Sequence, residues 1–332
     1  MHKSALMGIH KDYRKRLAPE QLWRHLRCNA LSALGILQLK VIFICPSHQC
    51  NADCSHCYEK FQSNNFAHSL STKQVKNVID QFYNLGGHTI FFCSGEFLLR
   101  EDSLDLIRYA RSKSLCTVVT TNGILLDEKT TDALKDAGIT ALIVSIDSTD
   151  PSKHDKLRGV EGCFEKAIKG MYIAKSKGIV VGIWTYVSKS NFNELSGIAG
   201  LAKKIGVKNI FTYFPLLLGN FFDKPEENLT FEEREMFRKE FNNSVNVVLE
   251  FPTEKSLCMG GGRFHICVMP SGDVTFCPPV PYSYGHIDSR SLRDCLKDIK
   301  KDFKRFCLTS CRGQCIVNFP EYRKNCNAKF MY

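Results

Sequence analysis

The sequence predicts an α/β fold, a mostly parallel sheet covered by helices with a small Cys-rich C-terminal α+β extension. Three observations predict it. Strand-like and helix-like patterns alternate six times between residues 39 and 213. That alternation demands a parallel sheet. Eight of the 16 cysteines fall after residue 257, where the alternation has ended. Hydrophobic residues make up 44% and charged residues 24% of the 332 positions, an ordinary globular balance. A chain of this length suggests one large domain and an appendage. The expected divisions are 1–37 for a basic helical segment, 38–225 for the βα array and 226–332 for the extension.

Residues 39–45 form a continuous apolar run, which reads as a buried strand. Ser71 can cap a helix in which Val75, Val78, Ile79 and Phe82 share one face, with Gly86 and Gly87 ending it. Strand 88–93 follows, then helix 102–114, strand 116–121 and helix 128–137, stopped by Gly138. Strand 141–147, helix 163–177, strand 180–187, helix 194–205, stopped by Gly206, and strand 209–213 complete the array. Six units are too few for a closed eight-stranded barrel. An open three-quarter barrel or a doubly wound sheet fits, and in either the working groups sit at the C-terminal ends of the strands. Further on, Thr230 and Glu233 form a capping box for a charged helix reaching about residue 241. Residues 264–277 read as a hairpin turning at 270–273, and 292–303 as a basic helix.

Cys50, Cys54 and Cys57 sit on the loop after the first strand. Three thiolates there can hold three irons of a [4Fe–4S] cube and leave the fourth iron open, as catalytic sites do. Zinc is the alternative, with His56 as a fourth ligand, although its place between Cys54 and Cys57 makes tetrahedral binding awkward.

This loop resembles that of the radical S-adenosylmethionine (radical SAM) enzymes, and the match continues in order. The stretch 90–100, with Cys93, Ser94, Gly95, Glu96 and Phe97, resembles the family's second-strand motif. Thr121, Asn122 and Gly123 end strand three, and Val144 to Asp147 end strand four, followed by His154, Asp155, Arg158 and Gly159. The resemblance covers about residues 38–220 and implies a partial (β/α)6 TIM-type barrel. It implies a [4Fe–4S] cluster on Cys50, Cys54 and Cys57, and S-adenosylmethionine as second cofactor. His56 would lie beside the adenine; Ser94, Gly95 and Glu96 would face the amino group. Ser145 and Arg158 would face the carboxylate or ribose, with Asn122 and Asp147 at the same strand ends. Ser94 and Phe97 replace a Gly and a Pro of the motif, and a Ser is tolerated there if its φ stays negative. Cys93 has two readings, a small buried hydrophobe or a hydrogen-atom donor.

The tail resembles the SPASM or twitch extension. Cys258, Gly272 and Cys277 match its opening, and Cys311 and Cys315 its terminal pair. This implies one auxiliary [4Fe–4S] cluster on Cys258, Cys277 and Cys315, with Cys267, Cys307 or Cys311 as the fourth ligand. A second cluster would use Cys307, Cys311 and Cys326. Cys295 reads as a plain buried cysteine.

The implied function is cleavage of S-adenosylmethionine and hydrogen-atom abstraction from an organic substrate, leading to oxidation, epimerisation or cross-linking. The substrate would be a sugar-like small molecule or a peptide. The 49 residues before Cys50 leave little room for a winged-helix peptide-recognition domain. A nucleic-acid- or lipid-modifying enzyme of the same superfamily is the alternative; a non-enzymatic metal protein explains fewer of the motifs. The net charge of +11 fits an acidic flavodoxin or ferredoxin as electron donor. No interleaved aromatic and basic patch points to nucleic acid. The basic segment 13–27 would pack across the bottom of the sheet; the alternative is contact with an anionic membrane surface. No apolar run reaches the ~18 residues of a membrane span, and no signal peptide is evident, so a cytoplasmic location is expected.

Overall fold

The computed structural model describes residues 17–33, 39–59, 69–213, 220, 224–230, 232–233, 236, 246–249, 265–278, 280, 282–305 and 329–330. A nine-stranded sheet dominates. Its strands are β1 (Val41–Ile44), β2 (Thr89–Phe92), β3 (Cys116–Thr121), β4 (Ala141–Ser145), β5 (Val180–Tyr186), β6 (Asn209–Tyr213), β7 (Asn246–Leu249), β8 (His265–Val268) and β9 (Val274–Thr275). Their order is β7-β6-β5-β4-β3-β2-β1-β8-β9. All pairings are parallel except β8 with β9. The hairpin expected at 264–277 is present, but its first strand lies parallel to β1, with Val41 opposite His265. The sheet therefore does not stop at residue 225: β7 and β8 extend it at both ends.

The helices are α1 (Pro19–Ala33), α2 (Thr72–Asn84), α3 (Ser103–Ser112), α4 (Glu128–Ala137), α5 (Pro151–Arg158), α6 (Cys163–Ser176), α7 (Glu194–Ile205) and α8 (Leu292–Arg305). Local chemistry accounts for their ends. Ser71 and Gln74 form a reciprocal capping box on α2, whose Val75, Val78, Ile79 and Phe82 are buried. The Asp127 side chain caps α4, and Gly138 ends it in the left-handed region. Thr230 and Glu233 also bond reciprocally, side chain to backbone.

The packing decides between the two architectures left open by the sequence. The buried apolar residues of α2, α3, α4, α6, α7 and α8 all join one core with Ile42, Ile90, Val119, Leu142, Ile183 and Ile266. The other sheet face carries a separate cluster built from strand residues and strand ends, such as Phe43, Phe91, Val118, Ile143 and Phe211. A doubly wound sheet has helices on both faces. One-sided cover marks the partial barrel, with the second cluster lining its interior.

Helix α1 packs under the N-terminal ends of the strands. Gln21 Nε2 donates to the Leu115 carbonyl at 3.0 Å, and Arg24 Nε to the Gly87 carbonyl at 2.8 Å. The buried stripe is Gln21, His25 and Cys28, whereas Trp23 and Leu26 are 63% and 53% exposed. The helix lies where the sequence suggested, but on its other face. Among the described residues, no helix is long and apolar enough to cross a membrane.

Candidate active site

The loop 50–57 leaves the C-terminal end of β1, at the barrel mouth. It is pinned to the end of α5, because Asp53 N donates to the Arg158 carbonyl at 3.0 Å and Ser55 N to the Leu157 carbonyl at 2.9 Å. Gly159 ends α5 with φ +67°, and a Cβ there would stand 2.5 Å from the Asp53 carbonyl oxygen. Only glycine permits that approach. Asn220 ties the loop from the other side, donating to the Cys54 carbonyl at 2.8 Å and the Cys57 carbonyl at 3.1 Å. Cys50 is exposed, and Cys54 and Cys57 are half-buried. Among the described residues, no three His, Cys, Asp or Glu side chains converge to grip a metal.

Beneath the loop lies a buried charged layer. Asp147, fully buried just past β4, pairs with Arg158 Nη2 at 2.7 Å. Asp147 also accepts from Tyr186 N at 2.9 Å. Arg158 Nη1 reaches the Cys54 sulfur at 3.7 Å. Burial pushes the Asp147 carboxyl up, but Arg158 and the flanking histidines outweigh it and hold the group below the usual carboxylate range. His56 stacks on Tyr186 at 4.3 Å between centroids and turns Nε2 toward Asp147 at 3.7 Å. Burial lowers the imidazole to about 4, so it is neutral at pH 7. Its buried Nδ1 has no hydrogen-bond partner among the described residues.

The second-strand motif forms a separate layer. Glu96 is expected to face a ligand amino group. Its carboxylate accepts from Asn122 N at 2.8 Å, Thr121 Oγ1 at 3.0 Å and Leu98 N at 3.2 Å. Burial pushes it up to about 7. Ser94 does not meet the condition of a negative φ: its φ is +76°, a region costing a non-glycine residue about 1–3 kcal/mol. A contact with a separate loop accompanies it: Ser94 Oγ donates to Glu59 Oε2 at 2.7 Å, and Gly95 N donates to the same oxygen at 3.2 Å. His48 Nδ1 lies 3.3 Å from that oxygen. Sequence reasoning missed Glu59; its place two residues after Cys57 was the available signal. Asn122 Nδ2 donates to Asn51 Oδ1 at 2.7 Å, joining strand three to the cysteine loop. Ser145 is the half-buried last residue of β4, opposite Trp184 of β5.

The other cysteines divide. Cys93, half-buried after β2, lies 3.4 Å from Cys45, sulfur to sulfur. Cys267 belongs to the barrel interior, with its sulfur 3.5 Å from that of Cys45. That places it beside β1 rather than in a tail module. Cys277 is half-buried and packs on the outer core, and Cys295 is buried within it. Cys258, Cys307, Cys311, Cys315 and Cys326 lie outside the described residues.

Residues 44–202 match the family model of the radical SAM superfamily. This region is a radical SAM domain. Radical SAM proteins use a [4Fe–4S] cluster and S-adenosylmethionine. Over 250 residues the chain is 30% identical to Fe-coproporphyrin III synthase of Methanosarcina barkeri, taking in 74% of this chain and 61% of that protein. It is 26% identical over 244 residues to PqqA peptide cyclase of Gluconobacter oxydans, covering 70% and 68% of the two. The crystal structure of Streptococcus suis SuiB bound to precursor peptide SuiA superposes with a TM-score of 0.71, at 15% identity, over 92% of this chain and 77% of that one. This last likeness supports the radical SAM fold described above.

Proposed function

We propose that this radical SAM protein cleaves S-adenosylmethionine and abstracts a hydrogen atom from an organic substrate, a peptide or a small molecule. The observation that carries the reading is the loop with Cys50, Cys54 and Cys57: three thiols and, among the described residues, no fourth local donor, braced at the mouth of a partial barrel. The donor chemistry fits an iron–sulfur cube with one open iron. It fits zinc poorly, because His56 is buried and turned toward Asp147. Bound there, the cluster and S-adenosylmethionine supply one-electron chemistry that generates a carbon radical.

The chain's own residues bind and orient. Arg158 neutralises Asp147 and presents a cationic edge to the Cys54 sulfur. His56 and Tyr186 form an uncharged aromatic wall suited to an adenine face. Glu96 and Glu59 act as positioning residues, because their carboxylates are held by protein donors. Ser94, Gly95, Asn122 and Ser145 line the strand ends where the cofactor's polar groups would dock. Cys258, Cys277, Cys311 and Cys315 would hold an auxiliary cluster. An acidic flavodoxin or ferredoxin would dock on this basic protein as electron donor.

The peptide cyclase and the porphyrin synthase among the relatives support a peptide or a small organic molecule as substrate. The test is anaerobic reconstitution with iron and sulfide, reduction with dithionite, and chromatography for 5′-deoxyadenosine. Cleavage is expected in the wild type and lost when Cys50, Cys54 and Cys57 are all replaced by Ala. A triple variant that cleaves at the wild-type rate overturns the proposal.

A further inference from the structure

The barrel interior holds one set of reactive groups that the proposed cofactor site does not use. Cys93 follows β2, Cys45 follows β1 and Cys267 lies in β8, and these three strands are neighbours. Their sulfurs form a row, with Cys93 3.4 Å from Cys45, Cys45 3.5 Å from Cys267, and Cys267 3.5 Å from the Met269 thioether. Cys45 and Cys267 are fully buried. Cys93 is half-buried and adjoins Ser94 and Gly95, so the row ends at the mouth.

The strand ladder places the first pair side by side. Ile44 is opposite Phe92, and Cys93 N donates to the Ile44 carbonyl at 3.1 Å, so Cys45 and Cys93 occupy the next paired positions. Neighbouring strands lie about 4.8 Å apart, inside the roughly 4.4–6.8 Å Cα range that a disulfide bridges. Contact with Cys45 and burial push the Cys93 thiol well up, contact with Cys267 and burial do the same for Cys45, and burial raises Cys267. The row is therefore protonated at pH 7. A cysteine serving only as a small hydrophobe needs no sulfur neighbour. A row of three reaching the mouth suits radical chemistry.

We propose that Cys93 and Cys45 form a dithiol that delivers a hydrogen atom to a carbon radical at the barrel mouth and closes to a disulfide. This rests on the function proposed above. The Cys93 S–H bond breaks, its hydrogen atom goes to the substrate carbon, and a C–H bond forms. The unpaired electron is left on the Cys93 sulfur. The buried Cys45 gives up its proton only as the sulfur–sulfur bond forms, the proton leaving by the Cys93 end of the row at the mouth, and the new bond holds one excess electron. That electron passes to an oxidised iron–sulfur cluster. The sum is one carbon radical, two thiols and one oxidised cluster giving one C–H bond, one disulfide, one proton and one reduced cluster. An external dithiol reductant reopens the disulfide between turnovers. Cys267 backs Cys45 and is not bridged.

The test uses cluster-loaded protein under anaerobic conditions, treated with diamide, a two-electron thiol oxidant. The protein is then denatured, alkylated with iodoacetamide, digested without reductant and mapped by mass spectrometry. The expected result is loss of the separately alkylated Cys45 and Cys93 peptides, replaced by one bridged peptide that dithiothreitol reopens. In Cys93→Ser, Cys45 should remain alkylatable after diamide. Recovery of alkylated Cys93 from the treated wild type, or a bridge between Cys45 and Cys267, overturns the proposal; the wild-type result decides even if the variant does not fold. 5′-deoxyadenosine formation by the same untreated preparation tests the proposed function separately, so either idea can fail without the other.

Discussion

The two faces of the barrel sheet are built on opposite terms. The outer face is mostly apolar, with few buried polar groups such as Asp302, which accepts from the Tyr284 hydroxyl, and its helices are capped by chemistry within a few residues, as Ser71, Gln74, Asp127 and Gly138 show. The inner face at the strand ends holds the Asp147–Arg158 ion pair, the carboxylates of Glu59 and Glu96, neutral His56 and a strained Ser94. Most partners there come from distant segments: Glu96 bonds Asn122, Ser94 bonds Glu59 and Arg158 reaches Cys54. The outer face supplies stability. The inner face holds buried charge and strain in place, which a structural core has no reason to do.

Substitutions on the two faces should separate stability from activity. A large stability effect is expected from Phe82→Ala in the outer core, which should lower unfolding free energy by about 3–5 kcal/mol in denaturant titration. The surviving folded fraction should cleave S-adenosylmethionine at the wild-type rate. Asp147→Ala should cost about 3–5 kcal/mol, because it leaves Arg158 charged and unpaired in the interior. Unlike Phe82→Ala, it should also abolish cleavage in the folded fraction. Cleavage retained in Asp147→Ala would erase the distinction between the faces.

Much of the outer face was legible in the sequence, because helix caps and 3.6-residue periodicity are local. The six strands of the array and the helices between them, the Ser71 cap and the glycine stops at Gly138 and Gly206 are all legible directly. The place of β8 beside β1 was not, since an apolar hairpin carries no label for a partner more than 200 residues away. The cysteine loop was visible from its spacing. Glu59, the left-handed Ser94 and the pairing of Arg158 with Asp147 were not, because each depends on a contact between separate loops. Trp23 and Leu26 misled for a related reason: α1 buries a polar stripe by hydrogen bonding to strand ends, which apolar periodicity cannot detect.

Titration gives a smaller effect. Burial raises Glu96 to about 7 in the folded protein, above its ordinary value of about 4.3. The folded state therefore binds the extra proton. Stability from this group is fully present below about pH 4.3 and is lost as pH rises through 7. Measured against Glu96→Gln, wild-type melting temperature should fall across that window and level off above it. A flat difference would mean that Glu96 is ionised throughout. The smallest expected difference separates two variants at one position. Ser94→Ala should be less stable than Ser94→Gly by about 1 kcal/mol, because both lose the bond to Glu59 but only alanine keeps the left-handed strain.

The central claim is that Cys50, Cys54 and Cys57 hold a cube whose fourth iron is open to S-adenosylmethionine. Electron paramagnetic resonance of the anaerobically reduced protein tests it most directly, on a variant with Cys258, Cys277, Cys311 and Cys315 replaced by Ala to remove the auxiliary signal. The account predicts a [4Fe–4S]⁺ spectrum whose g-values shift when S-adenosylmethionine is added. A [4Fe–4S]⁺ spectrum that the cofactor leaves unchanged, or no cluster signal with zinc bound instead, would contradict it.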